Sequence, residues 1–298
     1  MYDLLSVIII GLSVGGMYAL LALGLAMIFA ILGLLNLAHG ELIAVTAYSM
    51  FFLTLTGMPF VVIVVFAILM AVIGGLLMER IAFRPIRNAG VATGLITSFG
   101  LEIILQSGWQ NFISPTRLSI DIPMWLIRFW DIGDTGFSTY QGIAISLTVL
   151  TVVSLTLFLK KSTVGLAMRA AAENFPVTQL MGIRANAVIA AAFGISGFLA
   201  GVSGFLWIVQ RGSADPHMGL EPGIMAFISI IFGGTAGLAG PVLGGLCLGL
   251  LQVALRTYLP DSLLPFQLAI SYLVVISVLV RWPDGLISIF KTEEHERK

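Results

Sequence analysis

Four polar residues recur at helical spacing in the apolar stretch SFGLEIILQSGWQ. They are Ser98, Glu102, Gln106 and Gln110. A spacing of four residues predicts one polar stripe along a helix. Glu102 is the only formal charge between Arg87 and Arg117, and an acidic side chain near the centre of a membrane span costs about 3 kcal/mol. Glu102 and Gln106 therefore either line a polar path or hold helices together, and the sequence leaves both open.

A second polar group lies in LLNLAHGEL, residues 34–42. Glu41 is the only formal charge from residue 4 to residue 78. We expect Asn36 to cap a helix that begins at Leu37. Glu41 then falls in its second turn, near the favourable positive end of the helix dipole. A histidine in apolar surroundings is more often structural than a ligand, but we include His39 with Asn36 and Glu41 as candidates for a solute path.

The residue inventory argues against catalysis and against bound cofactors. Besides His39, the sequence has only His217 and His295, and Cys247 is its only cysteine, so no ligand spacing for a metal occurs. The sequence has no GxxxxGK[ST] phosphate loop, so we expect no ATP hydrolysis by this chain. An intramembrane enzyme is therefore the least favoured reading.

The composition requires a bilayer to position these groups. Of 298 residues, 58% are hydrophobic and 10% are charged, with zero formal net charge, whereas soluble domains are about a quarter charged. A formal net charge of zero gives no indication of a nucleic-acid partner.

Nine apolar runs, with eight to ten as the acceptable range, predict an all-α polytopic membrane protein with one domain over 1–298. They cover 4–32, 36–56, 61–79, 93–112, 140–159, 187–209, 223–237, 240–258 and 264–281. The N-terminus lacks a basic signal-peptide region, so the first run is expected to be retained.

Basic residues predict the orientation of the spans. The segments that we place in the cytoplasm contain Arg80, Arg84 and Arg87, then Lys160, Lys161, Arg169 and Arg184, and finally Lys291, Arg297 and Lys298. The loop 113–139 contains Asp121, Asp131 and Asp134 and is predicted to face outwards. Nine crossings with the N-terminus outside and the C-terminus inside satisfy all of these placements.

Glycines four residues apart predict where helices approach closely, because small residues allow backbone contact in lipid. The packing candidates are Gly197 with Gly201, Gly233 with Gly237, and Gly240 with Gly244. Gly-Gly and Gly-Pro steps interrupt helices, so we interpret the stretch from Phe232 to Pro241 as a turn between two packed helices.

The cytoplasmic loop 160–186 has the signals of two short helices. The first helix can be capped by Ser162 or Thr163 and can extend through Asn174. Asn174 and Pro176 can then start the second helix, and Gly182 can end it. The alanines 170–172 leave room for another protein. This pattern favours a docking element for a cytoplasmic partner, although an ordinary connecting loop has the same signals.

Four motifs in order resemble the permease subunits of branched-chain amino acid (LivH-type) ABC importers over essentially the whole chain. The motifs are NLAHGE at 36–41, ERIAFRPIR at 79–87, GLAMRAAAEN at 165–174 with LMGI at 180–183, and GGTAGLAGPVLGG at 233–245. The resemblance implies a subunit of the inner membrane that pairs with a second permease. It also implies two cytoplasmic ATPases, which bind ATP and Mg²⁺, and a periplasmic solute-binding protein.

The resemblance also assigns roles to the cytoplasmic loop. It implies an ATPase-coupling element that includes Arg169, Ala170, Ala171, Glu173, Asn174, Leu180 and Gly182. The solute stays open among branched-chain amino acids, other amino acids, urea and short amides. An ion-coupled secondary transporter, which would also use broken helices and buried acids, is the alternative.

Overall fold

The computed structural model describes residues 4–87, 89–132, 135–234 and 237–287. These residues form twelve α-helices: α1 Leu4–Leu32, α2 Glu41–Thr54, α3 Phe60–Met78, α4 Val91–Phe112, α5 Met124–Ile127, α6 Thr139–Lys161, α7 Thr163–Glu173, α8 Phe175–Leu180, α9 Ala185–Arg211, α10 Leu220–Gly233, α11 Ala239–Tyr258 and α12 Gln267–Arg281. The predicted all-α class is confirmed. The basic tail with Lys291, Arg297 and Lys298, and the loop residue Asp134, lie outside the described residues.

Eight helical segments of the described chain are long and apolar enough to cross a membrane. They are Leu4–Leu32, Leu37–Thr54, Phe60–Phe83, Val91–Phe112, Thr139–Lys161, Ala185–Arg211, Ala239–Tyr258 and Asp261–Arg281. The ninth predicted run, 223–237, corresponds to α10, which has only 14 residues. A helix rises 1.5 Å per residue, so α10 is too short to cross the hydrocarbon core alone.

The chain breaks between α1 and α2. Gly33 has a φ of +65°, a left-handed conformation that glycine adopts without steric cost. A 3₁₀ turn, Leu37–Gly40, follows and leads into α2. The prediction for Asn36 was wrong in one respect: it occupies the cap position, but its side chain makes no capping hydrogen bond. Because the first turn is 3₁₀, Glu41 is the first residue of α2.

The helices α3 and α9 pack through glycine. A Cβ atom built on Gly197 would lie 2.6 Å from the carbonyl oxygen of Ala71, and one on Gly201 would lie 3.1 Å from the Ala71 Cβ. In the opposite direction, a Cβ on Gly75 would lie 2.6 Å from the carbonyl oxygen of Phe193. These backbones are therefore in direct contact, as small residues permit in membranes.

The helices α10 and α11 also meet through glycine. A Cβ on Gly233 would lie 3.0 Å from the Gly244 nitrogen, and Gly240 faces Gly233 across the same contact. Gly237 does not belong to this contact, since it lies between the helices with a φ of +87° and has no described atom within 4 Å of its built Cβ. Its role is in the turn, and Pro241 lies in the first turn of α11, where a missing N–H is tolerated.

The described chain divides into two compact units by its internal contacts, and the single membrane domain over 1–298 stays a prediction. The first comprises Met1–Leu23, Pro123–Thr148 and Met225–Lys298, and the second comprises Gly24–Ile122 and Val149–Ile224. In the second unit, strand β1 (Leu118–Ser119) pairs antiparallel with β4 (Ser213–Ala214). In the first unit, β2 (Phe129–Ile132) pairs with β3 (Thr135–Ser138). The segment 113–139 is therefore a folded loop.

A buried ion pair closes the end of α3. Glu79 begins a π-helical turn, Glu79–Phe83, and its carboxylate pairs with Arg87. The Arg87 side chain is 15% exposed, that of Glu79 is 6% exposed, and Arg87 also donates to the Asn186 side chain. The pair thus fixes the turn where the ERIAFRPIR motif begins.

We predict that Glu79→Gln lowers stability by roughly 3 kcal/mol, because removing one partner of a buried pair leaves the other charge uncompensated. Glu221→Gln is the matched control, since the Arg211–Glu221 pair is 38% and 41% exposed and surface pairs contribute about 1 kcal/mol or less. Thermal unfolding in one detergent measures both variants. Equal shifts would contradict a stabilising role for the buried pair.

Candidate solute path and cytoplasmic surface

Two buried carboxylates meet at one amide. Gln106 Nε2 lies 3.0 Å from Glu41 Oε1 and 3.4 Å from Glu102 Oε1. Glu41 is 1% exposed and Glu102 is 6% exposed. The polar stripe on α4 therefore contacts the start of α2. Glu41 and Glu102, each the only formal charge of its helix, both accept from the Gln106 amide.

The amide also connects this pair to the surface. His217 Nδ1 lies 3.1 Å from Gln106 Oε1, and its Nε2 lies 2.6 Å from Gln110 Nε2. His217 is exposed, and its backbone N–H donates to Asp215, which lies 3.9 Å from Arg117. A continuous polar route thus runs from an exposed imidazole to Glu41.

Sequence reasoning missed His217 and Asp215 as members of this network. Both lie between β4 and α10, in a segment that has no helical periodicity, and a lone histidine there gives no pattern. The only signal in the sequence was DPHMG at 215–219, in which two polar residues lie beside Pro216 and Gly219, as is typical of a turn.

Two aromatic residues flank the carboxylates. The Tyr48 and Trp109 rings stack with centroids 4.9 Å apart, and the Trp109 indole lies beside the Glu41 carboxylate. Tyr48 is 2% exposed, and its hydroxyl has no hydrogen-bond partner among the described residues. Since Glu41 and Tyr48 are seven residues apart on α2, they share one helix face.

Three other candidates for the solute path are buried but do not belong to this network. Ser98 donates to the carbonyl oxygen of Leu95 at 2.9 Å. His39 Nδ1 lies 3.2 Å from Ser196 Oγ on α9, an arrangement typical of a structural histidine. Asn36 is 1% exposed, and neither polar atom of its side chain has a partner in the described chain.

The loop 160–186 folds as the capping signals predict. Ser162 Oγ accepts from the Gly165 N–H at 2.8 Å at the start of α7, and Asn174 Oδ1 accepts from the Val177 N–H at 3.1 Å at the start of α8. Gly182, with a φ of +83°, follows the end of α8. These caps satisfy backbone donors that the helix starts leave open.

The residues of this loop fall on two faces. Arg169, Glu173, Asn174 and Gly182 are exposed, and Leu180 is 86% exposed. Ala170 is half-buried, whereas Ala171 is only 2% exposed and so packs inwards. Met181, which the sequence analysis did not select, is 78% exposed. The exposed residues of this loop therefore include two large apolar side chains, Leu180 and Met181, and two opposite charges, Arg169 and Glu173.

Eight apolar spans, a further short apolar helix and a polar route through the helices define a polytopic membrane transport protein. The family model described as "Branched-chain amino acid transport system / permease component" matches residues 7–280. The chain belongs to this family, and it is the permease component of an ABC importer.

Characterised relatives cover nearly the whole chain. It is 31% identical to the high-affinity branched-chain amino acid transport system permease protein LivH of Escherichia coli K12 over 93% of both chains. It is 33% identical to the permease protein BraD of Pseudomonas aeruginosa over 96% of both chains. It is 27% identical to a probable LivH of Methanocaldococcus jannaschii over 91% of this chain and 88% of the relative. No solved structure matches with comparable significance.

Proposed function

We propose that this chain imports branched-chain amino acids across a bacterial cytoplasmic membrane, together with a second permease, two cytoplasmic ATPases and a periplasmic solute-binding protein. The solute class comes from the names of the relatives. The ATPases bind ATP and Mg²⁺, and this chain contributes no catalytic residue.

The capped two-helix loop carries the proposal. An exposed loop with Leu180 and Met181 facing outwards has apolar side chains that a protein partner would remove from water. Arg169 and Glu173 are exposed on α7 in the same loop and would determine which partner fits, because charges at an interface mainly provide specificity. Movement of the ATPases would reach the membrane helices through α7 and α8.

The orientation follows the same proposal. Arg80, Arg84 and Arg87 lie at the end of α3, and Lys160 and Lys161 lie at the end of α6. Placing both ends in the cytoplasm obeys the positive-inside rule. It puts the N-terminus outside and the β1–β4 pair on the outer face, where the binding protein would deliver solute.

Purification of the tagged chain from its native membrane tests the assembly. We expect ATPases and a second permease to copurify, and vesicles containing this complex to accumulate leucine only when they are loaded with ATP and supplied with the binding protein. Ion-coupled uptake by the chain alone, without ATP, would instead establish a secondary transporter and contradict the proposal.

A further inference from the structure

The network around Gln106 leaves two buried acids with very little compensation. One neutral amide donates to both Glu41 and Glu102, and the Trp109 indole beside Glu41 is the only other donor close to it among the described side chains. Among the described residues, no Lys or Arg forms an ion pair with either acid. Buried carboxylates are normally paired or richly hydrogen-bonded, and each can accept about four hydrogen bonds.

The unused hydrogen-bonding capacity lies at one place. Glu41 Oε2 is buried without a hydrogen-bond partner in the described chain, and so is the hydroxyl of Tyr48 on the same face of α2. Glu102 Oε1 receives only the longer contact from Gln106. If these residues only held the helices together, we would expect their buried polar atoms to be hydrogen-bonded to each other. A site that binds a polar group of a solute would instead leave acceptors open.

The open acceptors are also reachable. Gln106 and Gln110 are half-buried, and both contact the exposed His217. Asp215 adds a further acid beside His217. A solute group that enters at His217 therefore meets acceptors of increasing burial, from Asp215 to Glu102 and Glu41.

The chemistry of the acceptors selects the group. Carboxylates repel an anion, and the described residues contain no group of three or more His, Cys, Asp or Glu side chains arranged to hold a metal ion. A primary ammonium carries a positive charge and three donors, which suits two carboxylates that share one neutral donor. A hydrogen bond to a charged partner is stronger than one between neutral groups, so a few of them would orient a solute that still dissociates.

We propose that Glu41 and Glu102, joined by Gln106, form a transient binding site for the ammonium group of the transported amino acid. This inference rests on the proposed function and adds the part of the solute that the permease itself recognises. Glu41→Gln and Glu102→Gln retain the shape of each side chain, so they separate charge from packing.

Thiol labelling tests the site without transport. With Cys247→Ala as background, His217→Cys places a thiol at the entrance and Asn111→Cys places an exposed control thiol on α4 outside the network. At each thiol we compare the labelling rate of the cationic reagent aminoethyl methanethiosulfonate with that of the anionic sulfonatoethyl reagent. We expect the ratio of the two rates to be about tenfold higher at position 217 than at position 111, because charged clefts concentrate ions of opposite sign. Adding both glutamine substitutions should lower this preference severalfold, with the remainder due to Asp215 beside position 217. An unchanged preference would overturn the proposal.

Transport by the copurified complex tests the solute group. The double glutamine variant should lower the maximal rate of ATP-driven leucine uptake about tenfold or more, while the binding protein still stimulates ATPase activity. Uptake at the wild-type rate would overturn the ammonium site alone. Absence of ATP-driven uptake by the wild type would overturn the importer function, and the labelling would still decide the charge preference. Sodium-dependent leucine uptake without ATP would show that the acids hold a free cation and would overturn both.

Discussion

Leu180→Asp is expected to abolish ATP-driven uptake while leaving the chain inserted and folded. Leu180 is 86% exposed at the end of α8, so a charged replacement creates no buried charge in the isolated chain. In a complex, the same carboxylate would be desolvated against the ATPase, and an unpaired buried charge costs several kcal/mol. A loss of about 3 kcal/mol lowers an association constant more than a hundredfold.

Three measurements check this result in one set of membranes: the amount of the chain, the amount of copurified ATPase and leucine uptake. Leu55→Asp is the matched control, because Leu55 is 71% exposed directly after α2, outside the eight apolar spans and outside residues 160–186. Normal uptake by the Leu180 variant would show that α8 is only a connection between spans.

Gly197→Leu is expected to prevent the second unit from folding. The Cβ atom alone would lie 2.6 Å from the Ala71 carbonyl oxygen and 3.0 Å from the Val72 Cα. Both neighbours are backbone atoms, so the helices α3 and α9 would have to separate. Overpacking a closely packed interior typically costs about 1–3 kcal/mol, and a leucine adds three more carbon atoms to the same contact.

Gly100→Ala provides the comparison for Gly197. Gly100 lies within α4, and a Cβ there would meet no described atom within 4 Å. Alanine favours a helix over glycine by about 1 kcal/mol, so this variant should be at least as stable as the wild type. Monodisperse yield and unfolding temperature in detergent measure both variants. A well-folded Gly197→Leu protein would show that the α3–α9 contact tolerates separation.

Composition and periodicity were sufficient for the membrane class, the spans and the two helices of the cytoplasmic loop, because each depends on local sequence. The start of α2 was less predictable. Asn36 has the residue type of a cap, yet the chain forms a 3₁₀ turn without that bond. Gly237 has the spacing of a packing residue but lies in a turn. Spacing alone does not show where a helix ends.

The candidate site was predictable in its parts and not in its assembly. Glu41 and Glu102 are each conspicuous as isolated charges, but only the packing of α2 against α4 brings both to Gln106. His217 enters from a non-helical segment, for which no periodicity indicates a direction. Contacts between distant segments depend on tertiary geometry, which one sequence without relatives does not reveal.

The crossing at Gly40 limits how this protein can evolve. A Cβ on Gly219 would lie 2.7 Å from the Gly40 carbonyl carbon, and a Cβ on Gly40 would lie 3.1 Å from the Gly223 Cα. A side chain at either position would displace the start of α2, and Glu41 with it. Relatives can therefore exchange most lipid-facing residues, as identities of 27–33% allow, while mutation at positions 40 and 219 should be purged by selection.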